Sequence, residues 1–260
     1  MRRLALNRYH RAAPLVLLFV LLAGITIAAS IARSETATAT EVTANDIEEG
    51  QKLFASNCAT CHGMNAQGQD GVAPSLIGVG AASVDFQVGT GRMPMQSSGP
   101  QAIAKTVQFN AEQISQLSAY VASLAPGPAI PAAETVDPSQ GDPAQGMNLF
   151  RTNCAMCHGS IGGGGALTQG KYAPALWETT PTHIYEAMLT GPQSMPVFND
   201  ANLTPEDKRD IIAFLEEQRG TAPGGMSLGS IGPVAEGLWA WLLGMGIIVG
   251  FTVWIGVRSS

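Results

Sequence analysis

The strongest constraint on this chain is the pattern Cys-x-x-Cys-His, which occurs twice, at 58–62 and 154–158. The two copies use all 4 cysteines of the sequence. A disulfide or a zinc ion would explain paired cysteines, but neither requires a histidine directly after both pairs. Covalent attachment of haem does, because two thiols add across its vinyl groups while the imidazole reaches the iron. The sequence therefore predicts two covalently bound haem c groups. Their attachment and proximal residues would be Cys58, Cys61 and His62 in the first copy and Cys154, Cys157 and His158 in the second.

The two patterns belong to a longer repeat. The matching segments are 50–63 with 146–159, 73–76 with 173–176, and 93–94 with 195–196. A duplicated domain explains this similarity. We expect one domain at 46–125 and another at 142–219, joined by a proline-rich, semi-extended spacer at 126–141.

Helix signals open and close each copy, and no alternating strand pattern is present, so the predicted fold class is all-α. Asn45, with a glutamate three residues later, indicates the cap of the first opening helix. Asp142 followed by Pro143 indicates the start of the second. The closing helices are predicted at 110–124 and 205–218.

Methionines in glycine- and proline-rich loops are the candidates for the distal iron ligands. Met93 and Met195 are each followed by proline and come after the proximal histidine of their copy. A thioether opposite an imidazole favours ferrous iron and raises the reduction potential. Met95 competes with Met93 for the first haem, and the shared Met-Pro favours Met93.

Three further residues are expected near the haems. The carbonyls of Pro74 and Pro174 could accept the Nδ1 proton of the proximal imidazoles and so fix the rings, although both residues could also be ordinary turn prolines. His183 is interpreted as a surface residue or a contact of a haem propionate rather than an iron ligand.

Apolar segments lie at both ends of the chain. Residues 1–33 carry arginines before a long apolar run, which is typical of either an export signal or an uncleaved anchor. Residues 233–257 are long and apolar enough for a transmembrane helix, and Arg258 follows them. By the positive-inside rule both basic ends face the cytoplasm, which places the haem domains on the extracytoplasmic side of the cell membrane.

The part between the apolar segments is acidic. Residues 34–257 hold all 20 acidic residues but only 8 of the 14 basic ones. This charge argues against nucleic acid as a partner and is compatible with docking onto a basic surface or with an ordinary solvated face.

Each copy resembles the class I cytochrome c domain, from Gly-x-x-Leu-Phe through Cys-x-x-Cys-His-Gly to Met-Pro and a closing helix. Two such domains with a C-terminal anchor resemble the dihaem cytochrome cc subunits of actinobacterial menaquinol–cytochrome c reductase (cytochrome bcc) complexes. The resemblance implies thioether attachment at the four cysteines and axial ligation by His62, Met93, His158 and Met195.

The resemblance also implies partners and a direction of electron flow. Electrons would come from quinol at a cytochrome b subunit, pass through a Rieske iron–sulfur subunit to one haem, and leave from the other to cytochrome c oxidase. Two alternatives stay open: a dihaem subunit of another periplasmic dehydrogenase or oxidase, and a dihaem peroxidase with one open iron site. Six-coordinate irons would exclude the peroxidase, because neither could bind a substrate.

Overall fold

The computed structural model of the chain describes residues 42–97, 99–220 and 233–258. The predicted signal or anchor at 1–33 lies outside these residues. The described chain is mostly helical, as predicted. We call α1 to α4 the first half and α5 to α8 the second half. The helices of the first half are α1 (Ala44–Asn57), α2 (Ala59–His62), α3 (Gly80–Gly89) and α4 (Ala111–Leu124).

The second half repeats this order with one addition. Its helices are α5 (Pro143–Asn153), α6 (Ala155–His158), α7 (Pro181–Thr190) and α8 (Pro205–Gly220). A minimal antiparallel pair, β1 (Gly165–Ala166) and β2 (Tyr172–Ala173), lies between α6 and α7. It flanks a 3₁₀ turn at Thr168–Gly170 and is a small exception to the all-α prediction.

Side-chain caps set the helix starts, and one prediction of a cap was wrong. Thr43, not Asn45, caps α1, because its hydroxyl accepts from the Asp46 N–H while the Asp46 carboxylate accepts from the Thr43 N–H. Asn110 caps α4. Asp142 caps α5 with Pro143 at the first helical position, as predicted.

The opening and closing helices of each half cross at a glycine. A Cβ on Gly50 of α1 would lie 2.0 Å from the Gln116 carbonyl oxygen of α4, and one on Gly146 of α5 would lie 1.9 Å from that of Asp210 in α8. Only glycine permits this approach. Next to each crossing, aromatic rings pack at centroid distances of 5.2 Å (Phe54 and Tyr120) and 5.5 Å (Phe150 and Phe214).

The predicted spacer at 126–141 is packed rather than free. The Ala82 N–H of α3 donates to the Pro128 carbonyl at 3.1 Å. Val136, between 3₁₀ turns at Ala133–Thr135 and Pro138–Gln140, is buried in the core of the second half. The spacer therefore contacts both halves.

The C-terminal apolar segment forms α9 (Pro233–Arg258), in agreement with the prediction for 233–257. From Gly237 onward it is long and apolar enough to cross a bilayer, and almost all of its side chains are exposed. An unburied helix of this composition requires an apolar environment, which a membrane supplies.

Candidate haem sites

Both Cys-x-x-Cys-His segments fold into the same local structure. Cys58 ends α1 and begins α2, and Cys154 does the same between α5 and α6, with φ −120° and ψ −32° at both positions. The short helices then turn the chain so that the His62 N–H donates to the Cys58 carbonyl at 3.0 Å and the His158 N–H to that of Cys154 at 2.9 Å. Each segment thus presents two thiols and an imidazole from one helical turn.

Both proximal imidazoles are oriented by a proline carbonyl, which confirms that prediction. The Nδ1 of His62 lies 2.8 Å from the Pro74 oxygen, and the Nδ1 of His158 lies 3.0 Å from the Pro174 oxygen. Because a carbonyl only accepts, Nδ1 carries the proton and Nε2 is left as the iron-binding atom. Burial lowers the pKa of His158, against the raising effect of the Pro174 carbonyl, which favours the neutral imidazole that a metal needs.

The loops that carry these prolines return to the histidines through left-handed glycines. Gly68 (φ 81°) and Gly164 (φ 82°) donate from N–H to the carbonyls of His62 and His158, both at 2.8 Å. An added Cβ would meet backbone atoms of the proline loop at 2.5 Å for Gly68 and 2.7 Å for Gly164. The histidine and its proline are thereby held at a fixed separation.

The second site surrounds a cavity of about 1250 Å³, a volume that includes space open to solvent. The predicted attachment and ligand residues of this half all line it: Cys154, Cys157, His158 and Met195. Its walls are largely apolar, with contributions from Leu176, Ile184 and Phe198. Two thiols, an imidazole and a thioether around one apolar space are the donor set that a haem c requires, so these residues fit the group.

The loop that carries Met195 is fixed from both sides. Gly191 ends α7 in the left-handed conformation (φ 60°, ψ 61°), and its added Cβ would lie 2.9 Å from the Met195 carbonyl oxygen. Beyond the methionine, the Phe198 N–H donates to the Met188 carbonyl at 2.8 Å. Met195 itself is half-buried against the core of the second half.

In the first half the structure separates the two competing methionines. Met93 is half-buried against the core that also contacts Cys58, and its N–H donates to the Gln87 carbonyl at 2.9 Å. Lys105 Nζ holds the following residue by donating to the Pro94 carbonyl at 2.6 Å. Met95 is 41% exposed. These positions favour Met93 as the residue directed toward the first haem.

Burial, with a smaller effect of the second cysteine of each pair, raises the pKa of Cys58 to about 11 and that of Cys154 to about 12.

Some contacts at the sites were not predicted from the sequence. Phe86, Arg92 and Gln101 of the first half also line the cavity of the second half. Gln101 donates to the Tyr172 carbonyl at 2.9 Å and accepts from the Tyr172 N–H at 2.9 Å. His183, expected at the surface or beside a propionate, is largely buried between the halves, with Nε2 3.5 Å from Asp85 Oδ2. No local pattern marked these residues, because they meet only when the halves pack together.

The two halves match separate family models. Residues 47–125 match the family described as cytochrome c, and residues 141–215 match the family described as cytochrome c oxidase, cbb3-type, subunit III. Both assignments agree with two cytochrome c domains in tandem and with two haem c groups.

Several whole-length relatives are similar across nearly the entire chain. The cytochrome bc1 complex cytochrome c subunit of Corynebacterium efficiens is 44% identical over 254 residues, which cover 91% of this chain and 85% of that protein. That of Mycobacterium leprae is 41% identical over 256 residues, covering 92% and 87%. A shorter relative, cytochrome c-554(547) of Halothiobacillus neapolitanus, matches only part of the chain: it is 33% identical over 91 residues, which cover 31% of this chain and 99% of that protein.

A chain from a solved structure of a Kuenenia stuttgartiensis reducing HAO-like protein complex covers 68% of this chain at 15% identity, with a TM-score of 0.33 that is too low to bear on the fold. The two bc1 subunits are much more similar to this chain, in both identity and coverage. Because it extends over more than nine-tenths of the sequence and so includes both haem-binding segments, the chain belongs to the family of cytochrome bc1 complex cytochrome c subunits.

Proposed function

We propose that this chain is the membrane-anchored dihaem electron carrier of a quinol–cytochrome c reductase. In that complex it takes electrons from the Rieske iron–sulfur subunit, next to the cytochrome b subunit, and delivers them to cytochrome c oxidase. The proposal rests on one observation: the chain contains two haem-binding segments with the same local structure and is 44% identical to a bc1 complex cytochrome c subunit over 91% of its length. Two sites in one chain provide an entry and an exit for electrons.

The residues assigned to the two sites have distinct roles in this proposal. When bound, each haem supplies a one-electron redox centre. Thioether bonds at Cys58, Cys61, Cys154 and Cys157 would hold the porphyrins in place. The first iron would be held by His62 and Met93, and the second by His158 and Met195. Imidazole with a thioether would raise the reduction potential and leave no place for a substrate.

The topology proposed for the chain follows from its termini. The helix α9 anchors the chain, and Arg258 at its end marks the cytoplasmic side. The arginine-rich beginning of the chain carries the same charge signal. The haem domains between them would then lie on the extracytoplasmic side, where the acidic surface faces the partner subunits.

A second candidate is a cytochrome subunit of a different oxidase. The match of residues 141–215 to the cbb3-type oxidase subunit III family favours it. That match covers the second half alone, whereas the bc1 subunits match across both halves. The two candidates predict different partners in the membrane.

Gentle purification through a C-terminal tag, followed by identification of the attached subunits, distinguishes them. We expect a cytochrome b subunit, a Rieske subunit and cytochrome c oxidase to copurify. Deletion of the gene should abolish quinol-driven oxygen consumption by membranes. The wild-type chain should restore it, and a chain with Cys154→Ser and Cys157→Ser should not. Recovery of a dehydrogenase or another oxidase, with quinol oxidation unchanged by the deletion, would contradict the proposal.

A further inference from the structure

A cluster of three metal-ligating side chains lies where the two halves meet. Asp85 comes from α3 of the first half, and His183 and Glu186 come from α7 of the second half. One ligand atom of each residue lies within 4.8 Å of those of the other two. His183 and Glu186 are three positions apart on a helix, a spacing that places both side chains on one face.

Glu186 is a buried carboxyl group for which the described residues supply no hydrogen-bond partner. Its side chain is fully buried (0% exposed), and within the part of the chain described here neither carboxylate oxygen accepts a hydrogen bond. Burial, reinforced by the charge of Asp85, raises the pKa of Glu186 to about 10. An unpaired buried carboxylate is costly, and the usual remedies are a proton or a bound cation.

The first-half residues around the cluster leave room for the imidazole and fix its direction. A Cβ on Gly89 would lie 2.9 Å from His183 Nε2, so glycine at this position allows the ring to lie against α3. The His183 ring meets the Phe86 ring edge-on, with centroids 6.1 Å apart. Nε2 then lies 3.5 Å from Asp85 Oδ2.

The distance between the histidine and the aspartate matches that between neighbouring ligands of a small divalent ion. Zinc bonds to imidazole nitrogen and carboxylate oxygen are about 2.0–2.2 Å long, and tetrahedral geometry puts neighbouring ligand atoms about 3.3–3.6 Å apart. The separation of His183 Nε2 from Asp85 Oδ2 falls in that range, and a carboxylate oxygen of Glu186 lies within 4.8 Å of a ligand atom of each of the other two residues. One imidazole and two carboxylates, with a fourth position for water, form a donor set that zinc accepts.

We propose that Asp85, His183 and Glu186 form a zinc site that joins the two haem domains. The ion displaces the proton that Glu186 otherwise needs and cross-links α3 to α7. Because the cavity of the second haem is partly lined by first-half residues next to this cluster, the same cross-link fixes how the two haem sites face each other. The site is independent of the electron-transfer partners, since it requires only these three side chains.

The test uses the full-length, haem-loaded protein in detergent. After removal of loosely bound metal with a weak chelator, the protein is equilibrated with Zn²⁺, and zinc and iron are measured in the same sample by mass spectrometry. The two haem irons of each chain give an internal standard. We expect one zinc for every two irons, with nitrogen and oxygen ligands and no sulfur in the zinc X-ray absorption spectrum.

Three single variants, Asp85→Asn, His183→Gln and Glu186→Gln, should each weaken zinc binding by at least about 100-fold while keeping both haems. The matched control is Glu112→Gln, which changes an exposed carboxylate of α4 and should leave zinc binding unchanged. The proposal is overturned if the wild type holds no zinc, if the spectrum contains sulfur ligands, or if Glu186→Gln binds zinc as tightly as the control. If Glu186 is instead a protonated carboxylic acid, the wild type will hold little zinc and Glu186→Gln will hold equally little. That result also overturns the proposal.

Discussion

Replacing Gly191 with alanine should weaken the hold of Met195 on the second haem. Gly191 ends α7 with φ 60°, a conformation that costs an alanine about 1–2 kcal/mol. Its new Cβ would also lie 2.9 Å from both the Met195 carbonyl oxygen and the Val197 nitrogen. Both neighbours are backbone atoms, so the loop must move, at a cost of about 1–3 kcal/mol.

Together these costs come to about 3 kcal/mol. They shift the equilibrium between the loop with methionine bound and the displaced loop by a factor of about 100 toward the displaced loop. Carbon monoxide binds reduced haem only when the methionine has left. Its apparent affinity therefore rises in proportion to the population of the displaced state. We expect the second haem of the Gly191→Ala protein to bind carbon monoxide about 100-fold more tightly than that of the wild type.

A carbon monoxide titration of the reduced full-length protein measures this, and Met195→Ala identifies which haem responds. Gly170→Ala is the matched control. It also has a positive φ (72°), but among the described residues the one heavy atom within 4 Å of its added Cβ is Pro100 Cγ at 3.9 Å. Gly170→Ala therefore carries the cost of a left-handed alanine but not the overlap of its Cβ with backbone atoms. If Gly191→Ala binds carbon monoxide no more tightly than Gly170→Ala, the argument that backbone overlap controls Met195 is wrong.

Three further predictions concern the other parts of the chain. Gly146→Ala would place a Cβ 1.9 Å from a carbonyl oxygen of α8 and should destabilise the second haem domain by about 2–3 kcal/mol. Denaturant unfolding followed at each haem measures this, and Gly50→Ala should destabilise only the first domain. Met93→Ala should let carbon monoxide bind the reduced first haem at neutral pH, and Met95→Ala should not; the reverse result would exchange the ligand assignment. A chain lacking 233–258 and exported with a cleavable signal should leave the membrane fraction while retaining both haems, and its persistence in the membrane would contradict anchoring by α9.

The haem-binding segments could be predicted from the sequence because their chemistry is local. Cys-x-x-Cys-His places three groups on one turn of backbone, so the residue pattern and the geometry coincide. The proline carbonyls on His62 and His158 could also be predicted, since the repeat gave the same residue at both positions. The thioether bonds and the methionine ligation of both irons remain predictions, which the positions of Met93 and Met195 support.

The contacts between the halves could not be predicted. Asp85 and Glu186 are about a hundred positions apart and carry no shared pattern, so only the packing of α3 against α7 brings them together. His183 was expected at the surface or beside a haem propionate, and its contact with Asp85 could not be predicted for the same reason. The packed spacer is a similar case: a proline-rich sequence predicts an extended conformation but does not indicate which surfaces it will contact.

The most direct test of this account is the intact mass of the chain purified from its native membrane. Two covalent haems should be present on every chain, and one should remain after Cys154→Ser and Cys157→Ser are introduced together. A mass corresponding to a single haem or to the bare polypeptide in the wild type would contradict the account, because a chain with fewer than two centres has no separate entry and exit for electrons.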